Sequence, residues 1–193
     1  MSKISIINRA LTFLGANRIT SLNDNTLEAQ SASNIYNESL KSILSECDWK
    51  FATKRVVLNK LDKEPEWAED GKRNYFQLPA DYVEIFGVKD QNAKWSVEGN
   101  TIVADTPEFA IKYVYFCTNT DLYTSSFVEA FACKLACDMC YEITNSTEKS
   151  ATLIELYKGE YLPLAKNKNA RQQSKPLAQD DNWTNSIYGG IQG

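Results

Sequence analysis

Three thiols, Cys133, Cys137 and Cys140, recur at steps of three and four residues in the stretch FVEAFACKLACDMCYEI. That spacing puts them on one face of a helix, where three thiolates could converge on zinc or an iron–sulfur cluster, with Cys117 or Cys47 as a fourth ligand. The surroundings oppose that chemistry. The face is otherwise apolar, the chain contains no histidine, and a buried free cysteine behaves as a small hydrophobe. The thiols therefore read as core, and no metal or cofactor is expected.

The missing histidine also removes Ser–His–Asp and Cys–His catalysis. Carboxylate pairs such as Glu66 with Asp70, or Asp180 with Asp181, have the residue types for glycosidase-style acid–base work. Nothing in the sequence singles out an acid held protonated, so no enzyme is expected. No glycine-rich phosphate loop occurs, since Gly15 and Gly189-Gly190 stand in the wrong contexts for one. An aromatic set (Trp67, Tyr75, Phe76, Tyr82, Phe86, Trp95, Tyr113, Tyr115 and Phe116) could stack single-stranded nucleic acid. Few basic residues interleave with it, so core and protein interface are the better reading.

These residues must be positioned by elements legible in the pattern. Lys3–Leu14 reads as a helix capped by Ser2 and closed by Gly15, with Ile4, Ile7, Leu11 and Leu14 on one face. Ile19 and Leu22 anchor the loop that follows. A second helix is expected over Leu27–Cys47, with Asn25 and Glu28 as cap pair and Ala29, Ala32, Tyr36, Leu40, Ile43, Leu44 and Cys47 inward. Short β-branched and aromatic runs then predict strands, with a hairpin at Glu98-Gly99-Asn100 and a half-buried strand over Phe109–Phe116. The central helix is expected over Ser126–Thr144, with Ser126 and Glu129 as a capping box. Its stripe is Phe127, Ala130, Phe131, Cys133, Ala136, Cys137, Cys140 and Tyr141.

A fourth helix follows the Asn145-Ser146-Thr147 link and runs from Glu148 to about Arg171, with Ala151, Ile154, Tyr157, Tyr161, Leu164 and Ala165 inward. Pro163 predicts a kink or a division into two segments. The expected class is α+β: an antiparallel bundle of about four helices with an antiparallel β module inserted between helices two and three, and an extended C-terminal arm. The expected boundaries are 1–49 and 118–171 for the helical domain, 50–117 for the β module and 172–193 for the arm. The arm is polar but carries Leu177, Trp183, Ile187 and Tyr188 at wide intervals, as a segment laid along a partner would.

The formal charge is −4, with both signs scattered, so a strongly basic DNA-binding face is not expected from composition. Five cysteines argue against a disulfide framework and for a reducing cytoplasm. No apolar run approaches the length of about 20 residues that crosses a bilayer, and the first residues have no signal-peptide pattern.

The order of elements, with several junction motifs, resembles the tail tubular protein A family, the head-to-tail adaptors of short-tailed bacteriophages. The motifs are Leu14-Gly15 closing the first helix, Ser21-Leu22 in the loop, and Trp49-Lys50-Phe51 after the second helix. Leu78-Pro79-Ala80-Asp81-Tyr82 leads into the β module, and ELYKGEYLPLAKNKNARQ ends the fourth helix. The resemblance implies a homo-oligomeric ring, a dodecamer, between portal and tail nozzle, through which double-stranded DNA passes without sequence-specific binding. It implies virion localisation after assembly in the host cytoplasm, and no catalysis or membrane contact. Within it, Leu177, Trp183, Ile187 and Tyr188 become the portal-binding arm. Tyr36, Leu40, Leu153, Leu156 and Tyr157 become ring-interface candidates, and Trp67, Tyr82 and Trp95 candidates for the nozzle or fibre side. The competing readings are a tail-associated peptidoglycan hydrolase and a cysteine-based metal-binding regulator.

Overall fold

The computed structural model describes residues 1–63 and 65–172 of the chain. The fold is α+β, with helices and two small antiparallel sheets. Helix α1 spans Lys3–Leu14; Ser2 Oγ accepts the Ser5 amide at 3.1 Å, and Gly15 takes the left-handed conformation (φ 63°) past its end. A side chain at Gly15 would be strained there. Lys149 Nζ donates to the Leu14 carbonyl at 2.7 Å, so a cation meets the negative end of the helix.

Helix α2 spans Leu27–Leu44 and is capped by Thr26, not Asn25: Thr26 Oγ1 accepts the Ala29 amide at 3.2 Å. The helix stops at Leu44, three residues short of the expected Cys47. The expected inward residues are buried except Cys47, which is half-buried beyond the helix.

Helix α3, Ser125–Thr144, is the element the other helices surround, contacting α1 and α2 and the helical segments that follow. Its cap is Thr124, whose Oγ1 accepts the Phe127 amide at 3.3 Å. Ser126 already lies inside the helix and Glu129 pairs with Arg9 at 3.0 Å, so the capping box does not form. The buried surface is broader than one stripe, because Val128, Ala132, Leu135 and Met139 are buried as well. Tyr141, expected inward, is exposed. Two serines of α2 meet carboxylates of α3 across this core: Ser39 donates to Asp138 at 2.5 Å, and Ser31 donates to Glu142.

Asn145 ends α3 in the left-handed region (φ 51°), and Ser146 caps α4, Thr147–Leu156. A π-helical turn, Tyr157–Tyr161, then precedes α5, Leu162–Ala170. Pro163 is the second residue of α5, at the division its chemistry predicts. The π turn shifts the helical phase. Beyond it Leu162, Ala165 and Asn169 are buried and Leu164, expected inward, is exposed; before it Leu153 and Tyr157 are buried, and Ala151 and Ile154, also expected inward, are exposed.

Among the described residues six strands form two three-stranded antiparallel sheets. The first has the order β1 (Thr53–Val57), β6 (Ala110–Tyr115), β3 (Tyr82–Val88); the second has the order β2 (Asn74–Gln77), β5 (Thr101–Ala104), β4 (Trp95–Glu98). Gly99 (φ 62°) and Asn100 turn the β4–β5 hairpin as expected. The chain leaving β1 bonds along β2, with Leu61 donating to the Tyr75 carbonyl at 2.8 Å, which ties the sheets together.

Two apolar clusters result. One holds the helices together and takes in Trp49, Ala52, Val83, Val114 and Cys117 from the β module's near end. The other lies between the sheets, with Phe76, Ile102 and Ala104 of the second facing Ile111 and Tyr113 of the first.

Candidate functional site

The thiols do not converge. Cys133 and Cys140 are buried and Cys137 is half-buried on one continuous helix. Cys137 and Cys140 have a C-x-x-C spacing, yet Cys140 Sγ lies against Thr144 Oγ1 at 3.5 Å, away from the other pair. The hydrogen bond between Cys133 and Cys137 holds the Cys133 thiol below its ordinary pKa and pushes the Cys137 thiol up. Cys117 points to the Asn119 carbonyl and Cys47 lies beside Asn169. Among the described residues, no group of three or more Cys, Asp or Glu is gathered as a metal requires.

Glu66 and Asp70 are both exposed, and Asp180 with Asp181 lies outside the described residues. Glu66 belongs instead to a shallow hollow of about 250 Å³ with Trp67, Glu69, Lys72, Tyr75 and Glu98. Lys72, though nearly buried, reaches Glu69 at 3.2 Å and Ser96 at 3.4 Å. Tyr75 donates to Glu98 at 3.3 Å, and desolvation and that carboxylate push its phenol up. Trp67 stands 73% exposed beside these groups. Three carboxylates against Lys72 and Lys63, whose ammonium lies 5.0 Å from the Tyr75 ring centroid, leave the hollow acidic by one charge.

A second, larger hollow of about 430 Å³ opens on the first sheet, lined by Arg55, Val57, Gly87, Val88, Ala110 and Lys112 among others. It is apolar in its floor and basic at its rim. Lys50 and Lys112 both bond Asp48, at 2.6 and 3.0 Å. Burial pushes the Asp48 carboxyl up, but the hydrogen bonds and charges of the two lysines more than reverse this and hold it below its ordinary range. Among the described residues Arg55 forms no ion pair.

Strand alternation fixes which way each hollow looks. Ile111 and Tyr113 face the second sheet, so Ala110 and Lys112, with their register partners Val57 and Arg55, face the other way. Phe76 and Ile102 face the first sheet, so Tyr75 and Val103 face outward. The basic and acidic hollows thus occupy opposite outer faces of the two-sheet sandwich. Sequence reasoning missed this pairing, because sheet order has no signature in local pattern.

Of the ring-interface candidates, Tyr36, Leu40, Leu153 and Tyr157 lie in the chain's own core and offer no contact surface. Amphipathic spacing marks a buried face but not what buries it, and here α3 does. Leu156 is half-buried against the same core. Tyr82 and Trp95 are half-buried and packed on the inter-sheet cluster, Trp95 against Phe109 with ring centroids 5.9 Å apart. Leu177, Trp183, Ile187 and Tyr188 lie outside the described residues. No helix among the described residues is long and apolar enough to cross a membrane.

Scanned against models of known protein families the chain matches none, and a search of curated proteins likewise returns no match.

Proposed function

We propose that this chain is a structural head-to-tail adaptor of a bacteriophage virion, a ring subunit between portal and tail nozzle through which DNA is ejected. The observation that carries the reading is that the residues bearing the resemblance occupy the junctions between elements. Gly15 ends α1 in a left-handed turn. Trp49 is buried where the chain leaves the helices for β1, donating to the Ile43 carbonyl at 2.8 Å. Asp81, just before β3, bonds the other two strands of its sheet, Tyr113 of the adjacent β6 at 3.0 Å and Lys54 of the far edge strand β1 at 2.5 Å. Residues at junctions fix the order and direction of elements, which is what the resemblance consists of.

In this reading the helices act as an antiparallel bundle, the β module is an insertion turned toward nozzle or fibres, and residues 172–193 are an arm that gains order on the portal. Truncation after Gln173 tests it. The shortened protein should fold with an unchanged melting temperature and fail to attach to portal-bearing capsids; undiminished attachment would remove the arm from the mechanism. A hydrolase predicts a cleared band on a peptidoglycan zymogram, and a metal regulator predicts near-stoichiometric zinc or iron after anaerobic purification. Either result would displace the adaptor reading.

A further inference from the structure

We infer that the two outer faces of the β module are the halves of one head-to-tail contact between copies of this chain. Trp67 and the carboxylates beside it on one copy seat in the apolar, basic-rimmed groove on the first sheet of the next. The inference rests on the ring reading and names the surfaces that would close the ring, one of them holding a residue that sequence assigned to the nozzle or fibre side.

Three observations converge on a second copy as the occupant. The faces are complementary in charge: Glu66, Glu69 and Glu98 outnumber Lys72 and Lys63 on one. On the other, Arg55 has no ion pair among the described residues and Lys112 shares the single Asp48 carboxylate with Lys50, leaving a positive excess even with Lys89 paired to Glu108. They are complementary in shape and polarity. Trp67 is the most exposed large hydrophobic side chain among the described residues, at 73%, and the groove floor is formed by Val57, Gly87 and Ala110, Val88 being turned inward with Ile111. A tryptophan anchoring in an apolar pocket ringed by polar groups is the usual build of an interface hot spot. Finally, the faces point in opposite directions on sheets packed over one apolar cluster. A contact joining two different patches that look opposite ways cannot close on itself as a two-fold dimer; it propagates until it forms a ring or a filament.

Sedimentation velocity of the full chain over a concentration series at low salt tests the contact. Wild-type protein should form assemblies that grow with concentration and weaken as salt screens the charged rim. Trp67→Ala removes the knob, and Val57→Glu spoils the groove floor and opposes the incoming carboxylates. Both sites are exposed, so circular dichroism should show both variants folded, with association weakened about thirtyfold or more in each. The decisive sample mixes the two variants. Each retains one working face, so the mixture should give a heterodimer and nothing larger.

Monomeric wild-type protein throughout, unchanged association in either variant, or larger assemblies in the mixture would each overturn the inference. Failure of the adaptor reading is separable, because that reading is judged by attachment to capsids. A chain that attaches to portal yet never self-associates loses only the contact argued here.

Discussion

Tyr113, on the central strand of the first sheet, donates its hydroxyl to Asp81 Oδ1 at 3.0 Å, and Asp81 also holds Lys54 of the opposite edge strand. One carboxylate at the start of β3 thus ties three strands in register. Burial pushes the Asp81 carboxyl up, but the Lys54 and Tyr113 hydrogen bonds and the lysine charge bring it below its ordinary value. Its stabilising contribution is therefore whole at neutral pH and is lost as pH falls through that lowered folded-state value. Tyr113 works in the opposite sense. Burial and Asp81 push its phenol from 10.0 up to about 12, so its contribution is whole below pH 10.0 and is lost as pH rises to about 12. Tyr113→Phe should cost about 1.5 kcal/mol at neutral pH. Melting temperatures should fall less steeply across that alkaline interval in the variant than in wild type. Other raised tyrosines titrate in both proteins, so the difference between the two curves belongs to Tyr113.

Trp49 joins the two halves of the molecule. Its ring packs edge-on against Phe127 of α3, with centroids 4.8 Å apart, and lies 6.2 Å from Phe51 at the start of the β module. Its indole N–H satisfies the Ile43 carbonyl near the end of α2. Trp49→Ala should cost about 3–5 kcal/mol, read as a lowered urea midpoint. Trp49→Phe keeps most of the apolar volume and loses the indole's bond to a carbonyl that still accepts the Glu46 amide at 3.2 Å, and should cost about 1 kcal/mol. The ordering of the two losses is the check: the gap between them reports the packing, and equal losses would show that the aromatic volume at this position contributes nothing.

Tyr36 and Tyr157 carry buried hydroxyls that have no hydrogen-bond partner among the described residues. Burial pushes the Tyr36 phenol up to about 12 and raises that of Tyr157 as well. An unpaired buried hydroxyl is a cost that phenylalanine avoids at nearly the same shape. Tyr36→Phe and Tyr157→Phe should each raise stability by about 1 kcal/mol in urea unfolding. A loss in either variant would show that its hydroxyl is satisfied by a bound water.

Sequence and structure part company where a local rule depends on what lies beyond it. Helix ends were legible because caps act within four residues: Ser2, Gly15, Asn145 and Ser146 all sit where their side chains or backbone freedom require. Thr124 and Thr26 displaced the expected caps by one or two residues, since neighbouring hydroxyls compete for the same amides. The candidate interface was not legible. Arg55 and Trp67 are close in sequence, yet pairing of β1 with β6, far along the chain, turns them to opposite outer faces. After Tyr157, Ala165 is buried as expected, but Leu164 was misread for a third reason, a change in helical pitch that residue types do not announce.

That pitch change yields the most specific test of the fold. Across the π turn the buried positions run Tyr157, Leu162, Ala165 and Asn169, an interval of five followed by ordinary steps of three and four. One residue is in excess of an α-helix, and Gly159, exposed and with no atom within 4 Å of where a side chain would begin, is placed to be that residue. Deleting Gly159 would make Tyr157 and Leu162 neighbours one regular turn apart and leave Ala165 and Asn169 facing the core. Asn169 would still be on the face from which it bonds Lys50 and Asp48, so the end of α5 should remain docked. Removing an interior helical glycine adds roughly 0.5–1 kcal/mol on its own. The deletion should therefore keep the circular-dichroism spectrum and hold or raise the melting temperature. Deleting Thr152 from the regular helix α4 rotates everything after it by about 100° relative to the core and should unfold the C-terminal segment. If both deletions are equally damaging, the π turn is not a surplus residue but a contact the subunit needs.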